Sequence, residues 1–152
     1  MIYLDGSNGK QVHNAPSQVM AFPAAELSAS LYISMIENNP QKFIEFWNDE
    51  REMLLERDAE GFRAIDVGPV TVRYRANNSR TGGNVTRRLI YPKGAYVLHM
   101  IRMMMWDRKT GDQNFKAAMQ DFVKTYSGKA ATTEDFKAMM EKHYDCRNGP
   151  TG

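Results

Sequence analysis

A chain of 152 residues that is 42% hydrophobic and 25% charged can bury about two thirds of the surface its unfolded form exposes, which excludes disorder throughout. Its 20 Lys and Arg stand against 18 Asp and Glu with no basic run, so electrostatics do not imply a nucleic-acid partner. No stretch approaches the ~18 apolar residues of a membrane span, and "MIYLDGSNGKQVHNAPSQVM" lacks the basic and apolar regions of an export signal. The chain therefore reads as soluble, with its compartment left open by a single cysteine, Cys146, that has no intramolecular partner.

Residues 1–22 are rich in Gly, Asn and Ser and read as an irregular lead. In "PAAELSASLYISMIENN", Pro23 stands where proline is favoured in the first turn of a helix, with Leu27, Leu31 and Met35 on one face. Asn39 then resembles an N-cap and Pro40 a first helical residue. The helix they open, "PQKFIEFWNDEREMLLERD", carries Phe43, Phe46, Trp47, Met53 and Leu54 as an apolar stripe, while Glu45, Asp49, Glu52 and Glu56 lie largely elsewhere. The tight Asn-Asn-Pro turn predicts that these two helices run antiparallel.

From 61 to 88 the helical period breaks. One short alternating stretch, Val70, Val72 and Tyr74, precedes the Asn-Asn and Gly-Gly signals of a loop over residues 76–87. So long a connection is either functional or a solvated insertion, and Asn77, Asn78, Arg80 and Asn84 fit both readings. An apolar, methionine-rich helix follows in "LIYPKGAYVLHMIRMMMW". The spacing of Phe115, Ala118, Met119, Phe122 and Tyr126 predicts another, ended by Gly128 at C′. Thr132 with Asp135 is an acidic variant of the capping box, opening a last helix with Phe136, Met139, Met140 and His143 on one face. The fold expected is mainly α, with about five helices in antiparallel hairpins, one long irregular loop and at most a short strand. Its helical domain covers residues 23–145, followed by a tail over 146–152.

Local chemistry is sparse: HExxH, CxxC, GxSxG and a Gly-rich phosphate loop are all absent from the sequence. His13, His99 and His143 are scattered, and a metal site would need the fold to gather them; His143 near a helix end can instead complement the dipole. The methionine clusters Met103, Met104, Met105 and Met139, Met140 read as core filler. Tyr91, directly before Pro92, Lys93 and Gly94, is either a half-buried aromatic or a phenol placed at a helix mouth for chemistry.

The segment "YPKGAYVLHMIRMMMWD" and the following "TGDQNFKAAMQDFVKTYSGKAATTEDFKAMMEKH" resemble the zinc aminopeptidases of the aminopeptidase N family, which have a thermolysin-like catalytic domain. The upstream "ELSASLYISM" is similar to that family's "EFSASLY" helix, so the resemblance runs from near Glu26 to His143. It implies that Tyr91 donates a hydrogen bond to the oxyanion formed when water adds to the scissile carbonyl. A neutral donor at a helix start can stabilise charge that develops only in the transition state. Pro92 stands where the family often has Glu, a departure that leaves the donor role possible.

The family's zinc is held by HExxH and a later glutamate, and its substrate by a G-x-M-E-N segment; this chain has neither. Alignment through "ELSASLY" places Glu26 on a non-ligating acidic position and Phe22 where the third zinc ligand would fall. The resemblance thus implies the helical second half of such a catalytic domain: a remnant or fragment of an enzyme that, in intact relatives, uses zinc to hydrolyse the N-terminal residue of peptides. Such a piece has no cofactor of its own and is expected to be inactive alone. Two alternatives stay open. One is a helical interaction or self-associating module using the surface a missing half would cover, and the other is half of an enzyme assembled in trans.

Overall fold

The computed structural model of the chain describes residues 16–70 and 85–144, with side chains from Ala24 and from Arg87 onward in the two segments. Five α-helices are formed there: α1 Pro16–Tyr32, α2 Pro40–Leu55, α3 Val85–Met104, α4 Gln113–Tyr126 and α5 Thr133–His143. Among the described residues no strand is formed, and only isolated bridges, Arg57 with Arg63 and Asp107 with Gly111, close two turns. The mainly α expectation is met. Val72, Tyr74, Asn77, Asn78, Arg80, Asn84, His13, Cys146 and the tail lie outside the described residues.

Two prolines sit where the sequence did not place them. Helix α1 begins at Pro16, so Pro23 is internal and residues 16–22 of the expected lead are helical. Pro92 lies inside α3, which begins at Val85. Proline is easiest in a first turn, yet an internal one forfeits only its own backbone bond and crowds one carbonyl. At Pro92 that cost is offset by burial, for it is among the chain's largest fully buried side chains.

The chain falls into two compact units. Val19–Leu98 form one, and the described residues from His99 onward form the other together with Pro16–Gln18. In the first unit, α1 passes into a π-helical turn over Ile33–Glu37 and ends at Asn38, whose φ of 48° is the left-handed conformation asparagine tolerates. Asn39 is extended and its side chain accepts from the Lys42 amide at 3.0 Å, capping α2, with Pro40 at the opening position as expected. The α2 stripe is narrower than its apolar residues suggested: Trp47 and Leu54 are buried, Phe43 and Phe46 half-buried, and Met53 exposed. Leu54, Ala64 and Leu89 form a core cluster, with Val67 and Tyr96 packed against it. Around Trp47 stand the rings of Phe43, Phe46 and Tyr96, at 6.2, 5.6 and 4.8 Å between centroids.

In the second unit the end of α3 leads into a turn closed by Asp107, whose Oδ1 accepts from the amides of Lys109 and Thr110. Arg102 grips Asp112, just before α4, through two parallel bonds of 2.9 and 2.7 Å. Helices α4 and α5 pack on each other through Phe122 and Phe136, edge to face at 5.2 Å and 88°. Gly128 follows α4 with φ of 72°, the C′ role its position implied. Thr132 and Asp135 form the full capping box. His143 and Lys142 both reach Asp121 Oδ2, at 2.9 and 3.1 Å, tying the end of α5 to α4. The methionines divide: Met105 and Met140 fill core, but Met103 and Met104 are 48% and 56% exposed, so those two are not core filler.

Candidate active site

Tyr91 lies in the interior of α3, and the helix-mouth placement is corrected accordingly. Val85 opens the helix well before it, and the field of a helix end fades within the first turn. The macrodipole therefore does not act on this phenol. Tyr91 is half-buried, and the Arg87 guanidinium carbon, one turn earlier, stands 5.8 Å from its ring centroid.

What holds Tyr91 in place is the anchoring of α3 on both sides of it. Arg88 donates to the carbonyls of Met53 and Glu56 at 3.2 and 2.7 Å, and to the Glu56 carboxylate at 3.2 Å. It thereby satisfies backbone acceptors that α2 leaves open at its C-terminal end. Lys93 reaches back to the carbonyls of Gly68 at 2.6 Å and Ile65 at 3.3 Å. These belong to the stretch around the 3₁₀ turn Ala64–Asp66 that packs beneath the helix. Tyr96 donates its hydroxyl to the Trp47 carbonyl. Burial pushes the Tyr96 phenol above its ordinary pKa, with Arg51 opposing and Glu50 adding to the rise.

The Tyr-Pro-Lys-Gly run thus divides its tasks. Pro92, Gly94 and Ala95 are buried and let α3 lie close to its surroundings, Lys93 fixes the neighbouring turn, and Tyr91 is half-buried beside it. Pattern reading had marked Tyr91 but had given Lys93, Arg88 and Tyr96 no role, because their partners are 25 to 49 residues away. The signal available in sequence was only that a lysine interrupts an apolar run.

Chemically, a phenol on a fixed helix can donate a hydrogen bond to an oxygen that gains charge. The described residues do not offer a zinc site of the kind the resemblance implies. HExxH is absent from the sequence, phenylalanine at position 22 offers no donor atom, and among the described residues no three His, Cys, Asp or Glu side chains come together. His99 on α3 is half-buried, and burial with the nearby Arg102 holds its imidazole below the ordinary pKa, with Asp112 opposing.

Among known proteins the chain is similar to Aminopeptidase N of Haemophilus influenzae, at 33% identity over 79 residues, which is 52% of this chain and 8% of that protein. It is similar to Aminopeptidase N of Escherichia coli strain K12 at 32% identity over 78 residues, 51% of this chain and 8% of that one. The similarity is partial and distant: half of this chain against a small part of each relative. No family profile matches the chain, and no solved structure does.

Proposed function

We propose that this chain is the tyrosine-bearing helical part of a peptidase of the aminopeptidase N type, with Tyr91 donating to the oxyanion formed on the carbonyl of a peptide's N-terminal residue. The observation that carries this reading is the Tyr-Pro-Lys-Gly-Ala run on a helix tied down by Arg88, Lys93 and Tyr96, in a chain half of which is similar to Aminopeptidase N. Three anchors suit a group that must hold its direction while charge builds, since a preorganised donor does not reorient during reaction. The metal and the water-activating base belong to residues outside this chain, as its own donor set does not supply them. Hydrolysis of an alanyl or leucyl anilide tests the proposal. The purified chain with added zinc gives no chelator-sensitive rate; joined or mixed with an HExxH-bearing segment it gives one, which falls about 10²–10³-fold in Tyr91→Phe. A chelator-sensitive rate from the chain alone, or a reconstituted rate indifferent to Tyr91→Phe, overturns it.

A second reading has its own observation. Val97, Met100 and Met104 follow the one-face spacing of a helix and are 44%, 61% and 56% exposed, with Met103 beside them, which suits an interaction module or self-association. Sedimentation of the chain checks this: concentration-dependent association that Met100→Lys abolishes supports it, and a monomer throughout rejects it.

A further inference from the structure

Glu50 is a carboxyl in the wrong solvent. It lies on α2, is 5% exposed, and its Oε2 has no hydrogen-bond partner. Glutamate is almost never buried to this degree unless paired, and an ionised carboxylate without a donor is the costliest polar group to bury. The groups acting on it make ionisation harder. Glu26 of α1 repels its charge from across the unit, Asp49 does so from its own helix, and on α3 it meets Tyr96, whose hydroxyl is already committed to the Trp47 carbonyl. Arg51, the residue after Glu50, is exposed and acts on Tyr96.

We propose that Glu50 is a proton-operated contact: it keeps α1 and α2 together while its carboxyl is protonated, and sets Glu26 against α2 when the proton leaves. The protonated acid is neutral, which suits a dry site beside a second carboxylate. The ionised form sets its charge against those of Glu26 and Asp49, and the least costly relief is for Glu26, half-buried on α1, to move away. Helix α1 is suited to such movement because it joins α2 through a π-helical turn and the left-handed Asn38, a connection able to take up a change in backbone angles.

Burial first, then Glu26 and Asp49, push the Glu50 carboxyl up from 4.5 to about 7. The raised folded value fixes the sign. The folded chain binds this proton more tightly than the unfolded chain, so stability is greatest below the unfolded value, declines as pH rises toward about 7, and is level above it.

Thermal melts of the full chain between pH 5 and 8.5, with amide hydrogen exchange at the two ends of that range, test the proposal. The unfolding midpoint of the natural chain falls by about 5 °C or more across the window, and the α1 amides lose protection at the alkaline end. Glu50→Gln, a neutral mimic of the acid, flattens the slope and melts above the natural chain at pH 8. Glu26→Gln, which leaves Glu50 in place, removes a repelling charge and brings the folded Glu50 value down, so the decline shrinks and ends at lower pH, and the proposal stays testable even if Glu50→Gln folds poorly. A midpoint that is flat or rising through the window, a slope retained in Glu50→Gln, or α1 protection that ignores pH overturns it.

Discussion

Lys93 shows how one side chain can hold a segment that has no regular structure of its own. The stretch from Arg63 to Gly68 has a single 3₁₀ turn, and its carbonyls at Ile65 and Gly68 face the Lys93 ammonium. Replacing Lys93 by Met keeps the apolar stem and removes the donor, leaving those acceptors to water or unsatisfied. The expected loss is about 1–3 kcal/mol, the range for removing a charged hydrogen-bond donor, read as a lower urea midpoint with unchanged slope. Arg88→Met, which uncovers the C-terminal carbonyls of α2, is expected to cost a similar amount by the same measure. Neither role was readable in the sequence. Tyr91 could be singled out because a motif surrounds it, whereas Lys93 and Arg88 act on backbone atoms, which carry no residue identity for a pattern to detect.

Helices α4 and α5 were the elements most fully readable, and the reason is that their determinants are local. The positions of Phe115, Ala118 and Phe122 lie within one helix and are buried as their period requires, and Thr132 and Asp135 satisfy each other three residues apart. Thr132→Ala is expected to cost about 1 kcal/mol by freeing first-turn amides, while Phe136→Ala, which empties the contact with Phe122, is expected to cost about 3–5 kcal/mol. Urea unfolding of the two variants should rank them in that order, since a cap secures one turn but the ring joins two helices. The starts of α1 and α3 were misplaced because proline marks a helix opening only when nothing nearby helps tolerate it internally; burial of Pro92 is a property of the folded chain. The methionines of α3 mislead similarly. Helical spacing says which residues share a face, but Met100, Met103 and Met104 are exposed because no described element covers theirs.

Over the whole molecule, carboxyls pull stability in opposite directions with pH: Glu50 one way, and Asp121, Asp135 and, in the same unit as Glu50, Asp66 the other. In the unit containing α4 and α5, His143 and then Lys142 hold Asp121 below its ordinary pKa, and the Thr132 amide and hydroxyl do the same for Asp135. Groups with depressed folded values contribute stability above their unfolded value near 3.8, and lose it as pH falls through the folded one. Glu50, in the unit containing α1 and α2, contributes in the reverse sense, roughly 3 kcal/mol if the rise from 4.5 to about 7 is fully expressed. Stability should therefore peak in a narrow band at about pH 4–5, lower than the neutral optimum usual for globular domains. With intrinsic exchange rates divided out, amides of α5 lose protection on the acid side, and amides of α1 on the neutral side. Glu50→Gln removes the second limb and leaves the first, turning the peak into a plateau that extends through neutrality. A peak that stays narrow in that variant would place the neutral limb elsewhere than Glu50. The acid limb was foreshadowed in sequence by the capping box, whereas the neutral limb was not, because a glutamate in a polar stretch of α2 gives no sign of its burial until Glu26 and Tyr96 are brought against it.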